Sequence, residues 1–218
     1  HEVEALCRGR RDLLDAGVLM RGPLHFTTSA PHLAFPTGES VRILWEMDRP
    51  ASARVEWGRD QDSVNVMDLP FNGKRVREIE LEGLQPNTFY SYRIVARSPD
   101  GSEADSGLLH FRTAVEEADP VVFAAISDTE ARPHVNATLA ERIWRETPHL
   151  VLNAGDLTDG GRLGNRVEWT HEYFGGMGHL MARVPFLPVM GNGEDDFFWF
   201  GHYHAGIGPR QTYYRYRY

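Results

Sequence analysis

The apolar pattern of the chain changes character once, and the change divides it. From about residue 22 to 114 apolar and polar residues alternate in short runs, VRILWEMD, SARVEWGRD, VREIELEGL, FYSYRIVARS and LLHFRTA. Successive strand residues face opposite sides, so this period of two describes strands with one buried face. DRPAS, LPFNGK and SPDGSEADSG separate the runs with residues that supply turn angles. A β sandwich is expected, with Trp45 and Trp57 filling its core. Residues 114–120, AVEEADP, form an acidic linker ending in proline. Beyond it VVFAAIS, HLVLNAG and VPFLPVMG are continuously apolar, which is how strands read when both faces are covered. VNATLAERIWRE carries helical spacing between the first two, and VEWTHEYFGGMGHLMA suggests a second helix interrupted by glycines. The second part is therefore expected to be an α/β layered sheet.

Composition excludes several function classes. The 218 residues include 23 basic and 31 acidic side chains, a net charge of −8, which argues against a nucleic-acid backbone as partner. No apolar stretch approaches the roughly 20 residues of a membrane helix. Cys7 is the only cysteine, so a metal would have to be held by oxygen and nitrogen ligands. Residues 2–16 place Val3, Leu6, Cys7, Leu13 and Leu14 on one helical face, so a linker helix is expected within residues 1–21. The domain limits expected after it are 22–114 and 120–218.

Each apolar strand of the second part ends in polar residues: Ser127-Asp128-Thr129-Glu130, Gly155-Asp156-Leu157-Thr158-Asp159-Gly160 and Gly191-Asn192-Gly193-Glu194. Ligands of open α/β sheets bind beyond the carboxyl ends of the strands. Three successive strands would deliver Asp128, Asp156 and Asn192 to one locus. Two carboxylates gathered there oppose each other's ionisation unless a cation lies between them. A carboxylate bridging two cations makes a two-metal site, which activates water and clamps a phosphoryl group. Taken singly, each residue would serve equally well as a cap or turn residue.

The series SDTE, GDLTDGG and GNGE resembles the first three motifs of the calcineurin-like metallophosphoesterases. LEGLQPNTFYSYRIVA, residues 81–96, resembles the fibronectin type III signature, with Tyr90 or Tyr92 making the tyrosine-corner contact. Together they resemble the purple acid phosphatases and their bacterial relatives. The resemblance implies hydrolysis of phosphate esters at a binuclear site of Fe, Zn or Mn, outside the cytoplasm. It implies that Asp128 ligates the first metal, Asp156 bridges both, Asn192 ligates the second, and Gly155 and Gly191 allow the turns that present them. Asp156 and Asn192 are then the catalytic residues of this chain.

The departures from that pattern are equally specific. Gly193 stands where the family carries its substrate-handling histidine. Glu130 replaces the histidine or glycine of the first motif, and Asp159 replaces the tyrosine that colours the purple enzymes. Gly201-His202-Tyr203-His204 has the letters of the family's last motif but follows Glu194 too closely, so a loop or aromatic packing role is expected for it. Glu194, Asp195 and Asp196 are expected to shape the surroundings of the metals, with a solvated acidic loop as the alternative for Asp195 and Asp196. TYYRYRY closes the chain on a strand pattern, so a fragment is expected, its α/β layer completed by a further segment or another chain. The alternative function is a non-catalytic binding or structural module that has lost the histidine and the later ligands.

Overall fold

The computed structural model describes residues 22–60, 63–160, 165–194 and 197–204. The expected helix within residues 1–21, Asp195, Asp196 and the TYYRYRY pattern lie outside the described residues.

The first domain has eight strands: β1 (His32–Ala34), β2 (Ser40–Glu46), β3 (Ser52–Gly58), β4 (Asn65–Leu69), β5 (Val76–Glu82), β6 (Phe89–Arg97), β7 (Glu103–Asp105) and β8 (Leu109–Arg112). One antiparallel sheet has the order β1-β2-β5 and the other β4-β3-β6-β7, with β8 also pairing with β6. The alternation read from the sequence is the alternation of burial. In β6, Tyr90, Tyr92, Ile94 and Ala96 face inward and Arg93 outward. Trp45, Ile43, Val55, Leu81 and Phe111 join them in the core, whereas Trp57 is only partly buried against it. This division of strands between two sheets is the fibronectin type III-like sandwich. The Tyr90 hydroxyl accepts the Gln85 N–H at 3.0 Å and makes the corner contact. Strands β1 and β7 were not legible, because three residues are too few to show alternation; β7 lies inside the stretch read as a turn.

The second domain runs β9 (Phe123–Ile126), α1 (Pro133–Arg145), β10 (Leu150–Asn153), a π-helical turn over Glu168–Tyr173 that continues into α2 (Phe174–Met181), β11 (Phe186–Pro188) and α3 (Phe197–Tyr203). The three strands are parallel in the order β11-β10-β9. Pro133 opens α1, where its missing N–H costs nothing, and Arg142 and Arg145 sit in the last turn where the helix dipole favours cations. Val151 and Phe186 on one face of the sheet pack with Ile143, Phe174, Met177 and Leu180 of the helices. The other face leaves Phe123 56% and Leu152 37% exposed while Leu150 and Leu187 are buried, so among the described residues that face is covered only in part.

The glycines of α2 do not interrupt it, contrary to the sequence reading. A Cβ on Gly176 would lie 2.6 Å from Asn136 Cβ of α1, and one on Gly178 would lie 2.7 Å from the Thr28 carbonyl oxygen of the sandwich. The missing side chains let α2 wedge between its neighbours, and tertiary contact outweighs the roughly 1 kcal/mol helix penalty of each glycine.

The two domains are docked through named contacts. Ala182 packs into the sandwich core, and its carbonyl accepts the Tyr92 hydroxyl at 2.7 Å. Burial in that contact pushes the Tyr92 phenol far above its usual value. Glu46, at the end of β2, accepts Thr27 Oγ1 at 2.8 Å and Tyr203 Oη at 3.2 Å and is ion-paired with Arg166. Its carboxyl is held at about 2: burial opposes ionisation, and the neighbouring His202, Thr27, Arg166 and Arg75 outweigh it. GHYH therefore has a use other than metal binding: with α3 it packs aromatic rings and meets the sandwich. No described helix is long and apolar enough to cross a membrane.

Candidate metal centre

The parallel sheet sends the ends of β9, β10 and β11 to one edge, where their loops are tied together through the backbone. The Asp128 N–H donates to the Gly155 carbonyl at 3.2 Å and the Thr129 N–H to the Asp156 carbonyl at 2.8 Å. The Gly193 N–H donates to Asp156 Oδ1 at 2.8 Å, and the Gly160 N–H to the Gly193 carbonyl at 2.8 Å. Asp156 is thus linked to both other loops. Asp128 and Asn192 are exposed and Asp156 half-buried.

Both aspartates have left-handed backbones, with φ of 56° at Asp128 and 52° at Asp156. Such a conformation costs a residue with a side chain about 1–2 kcal/mol. Strain of this kind persists where surrounding structure enforces it and clusters at functional sites. Enforcement comes from the backbone crossing below: a Cβ on Gly155, itself at φ 98°, would lie 2.8 Å from the Gly191 backbone, and one on Gly191 would lie 2.1 Å from Asp156 Oδ1.

Glu194 fastens the second and third loops. Its Oε1 accepts the N–H groups of Leu157 at 2.5 Å and Thr158 at 2.8 Å, and its Oε2 accepts the Gly191 N–H at 2.6 Å. Burial raises the pKa of this carboxyl, the three N–H donors pull it back, and nearby Asp156 raises it further. With 3% exposure Glu194 belongs to the interior. Its reach across 36 residues to the second loop has no periodic signal in the sequence; only its place in the GNGE motif points to it.

Gly193 differs from a position that has merely lost a side chain. A Cβ there would lie 2.3 Å from the Thr158 carbonyl oxygen, a backbone atom. A histidine at 193 would require the second loop to move, so the departure is matched by the geometry of its neighbour.

The donor set suits a hard cation in part. Asp128, Asp156 and Asn192 offer oxygen ligands, and Glu130 Oε2, Asn153 Oδ1 and Thr158 Oγ1 in these same strand ends are buried without a hydrogen-bond partner. Buried acceptors without donors are costly in a folded protein and are relieved by a cation or by water. Among the described residues no three His, Cys, Asp or Glu side chains gather as a metal-binding group. His202 and His204 lie at the domain interface, with His204 buried among aromatic rings and His202 beside Glu46.

Residues 121–217 match the family model described as calcineurin-like phosphoesterase. This part of the chain is similar to that family. The phosphoesterase domain and the sandwich before it superpose together on solved structures. Purple acid phosphatase PPD1 from yellow lupin (Lupinus luteus) seeds matches with a TM-score of 0.60 and 17% identity over 86% of this chain. The structure of PhoD matches with a TM-score of 0.59 and 15% identity over 79%. Both likenesses are of fold, and the chain covers 40% of each of those structures. Human usherin (Homo sapiens) is 29% identical over 145 residues, 56% of this chain and 3% of usherin.

Proposed function

We propose that the phosphoesterase domain hydrolyses phosphate esters at a binuclear metal site to which this chain contributes Asp128, Asp156 and Asn192. The central position of Asp156 carries this reading: its backbone contacts the first loop and its side chain the third, as a bridging ligand requires. Divalent or trivalent iron, zinc or manganese would supply Lewis acidity and lower the pKa of water. The chain's own residues hold the ligands in place. Glu194 fixes the second loop to the third, and the Gly193 N–H orients Asp156 through Oδ1. A phosphate monoester is the expected substrate, and the location outside the cytoplasm follows the same reading.

A second reading is favoured by Gly193. Loss of a positioned acid slows a reaction by on the order of 10² to 10⁴, and Thr158 fills the space that a side chain at 193 would enter. In this reading the domain binds metal and phosphate without turning substrate over. Metal analysis and p-nitrophenyl phosphate turnover separate the two. Turnover that needs added metal and is abolished by Asp156→Asn supports the hydrolase; metal binding without turnover supports the binding module; neither metal nor turnover contradicts both.

A further inference from the structure

Two of the histidines at the contact between the domains are buried side by side, and the candidate metal centre uses neither. His32 on β1 is 3% exposed and His204 just after α3 is 5% exposed, with ring centroids 6.4 Å apart. His32 Nε2 meets the Tyr203 carbonyl at 2.8 Å; since a carbonyl only accepts, the proton is on Nε2. That leaves His32 Nδ1 as a bare nitrogen, buried without a partner, and His204 Nε2 is likewise buried without one. The walls are aromatic. Phe174 of α2 lies 5.3 Å from the His32 ring, and Trp169, Tyr173 and Phe200 lie 6.3, 6.0 and 5.0 Å from the His204 ring.

We propose that this histidine pair makes the docking of the sandwich onto α2 and α3 acid-sensitive, so that the domains separate as pH falls while each stays folded. Protonating either imidazole in place would bury a cation with no acceptor at the new N–H, and protonating both would add like-charge repulsion. The titratable and charged groups facing the pair from the packed elements are few among the described residues. The pair faces Tyr203 of α3 and Tyr173 of the π-helical turn. Beyond Tyr203 lie Glu46 of β2, Arg166 and His202. Glu46 reaches the pair only through Tyr203, so among the described residues no carboxylate compensates a charge on either ring.

The pH window follows from the shifts. Burial pushes His32 from 6.5 down to about 4, only partly opposed by its bond to Tyr203, and burial with the adjacent His32 pushes His204 well below its usual value. A histidine with a depressed pKa in the docked state stabilises docking fully above about pH 6.5, and that contribution fades as pH falls toward 4. Glu46, held at about 2, contributes stability that is lost only below the ordinary carboxylate value of 4.5. The interval from pH 6.5 to 4.5 therefore isolates the histidines. For His32 alone, linkage predicts docking weaker by about 30-fold at pH 5 than at pH 8.

The test is amide hydrogen exchange on the full chain between pH 8 and 4.5, expressed as protection factors, with small-angle scattering alongside. Protection at residues 27–33, 178–184 and 199–204 should fall and the radius of gyration rise across pH 6.5–4.5, while β3 and β6 stay protected. His32→Gln with His204→Phe should flatten the change. Unchanged protection at the interface of the wild-type chain down to pH 4.5 would overturn the proposal whether or not the variant folds. So would a double variant that opens over the same interval as the wild type.

Discussion

The sandwich and the phosphoesterase domain are both built on sheets, yet they keep their shapes by different means. In the sandwich, side chains from two sheets fill a shared core, and the one polar corner contact, Tyr90 to Gln85, supports a turn. At the strand ends of the phosphoesterase domain, backbone lies on backbone, with glycines where any side chain would collide and a buried carboxylate bonding three amides. The first arrangement tolerates polar change and suffers from lost volume. The second suffers from the loss of single polar atoms, and it holds two aspartates in left-handed turns, a conformation that the sandwich also shows at Ser29, Phe35 and Asn87. The difference lies in what holds each region: volume in the sandwich, and backbone crossing and polar contacts at the strand-end junction.

Substitutions that remove one support at a time sharpen this contrast. Trp45→Ala should be the most damaging, lowering stability by about 3–5 kcal/mol in urea unfolding, because a fully buried indole leaves a cavity. Glu194→Ala should cost about 2–4 kcal/mol although little volume is lost, because three amides lose their acceptor. Its signature is faster hydrogen exchange at Leu157, Thr158 and Gly191. Tyr90→Phe should cost about 1 kcal/mol, the worth of one hydrogen bond. Asp128→Gly should have the smallest effect and the opposite sign, raising stability by about 0.5 kcal/mol as relief of the left-handed strain outweighs the added chain entropy. Destabilisation by Asp128→Gly would show that the turn carries no stored strain.

Much of the fold was legible because alternation survives in the longer sandwich strands and unbroken apolar runs mark the parallel ones. β2, β3, β5 and β6 were read from alternation, and β9 and β10 from unbroken apolar runs. The three-residue strands β1 and β7 and the role of the α2 glycines were not, because pairing and helix approach are decided by residues distant in the chain. The strand-end residues were readable as motifs, and the structure places their loops side by side. Two features lay beyond sequence reasoning. Glu194 looked like one acid among three until its amide partners were seen. His202, Tyr203 and His204 were expected in a loop or aromatic packing role, but their neighbours Glu46 and His32 come from the sandwich more than 150 residues earlier. Nothing local in either segment announces that meeting.

The most direct test of the strand-end site is a calorimetric titration of the metal-free chain with Mn²⁺, run in parallel on Asp156→Asn. Asp156 is the residue joined to both neighbouring loops, so the wild-type chain should bind the metal and the variant should lose that binding while its unfolding midpoint stays within a few degrees. Equal binding by the two proteins, or none by the wild type, would contradict the assignment of Asp128, Asp156 and Asn192 as metal ligands.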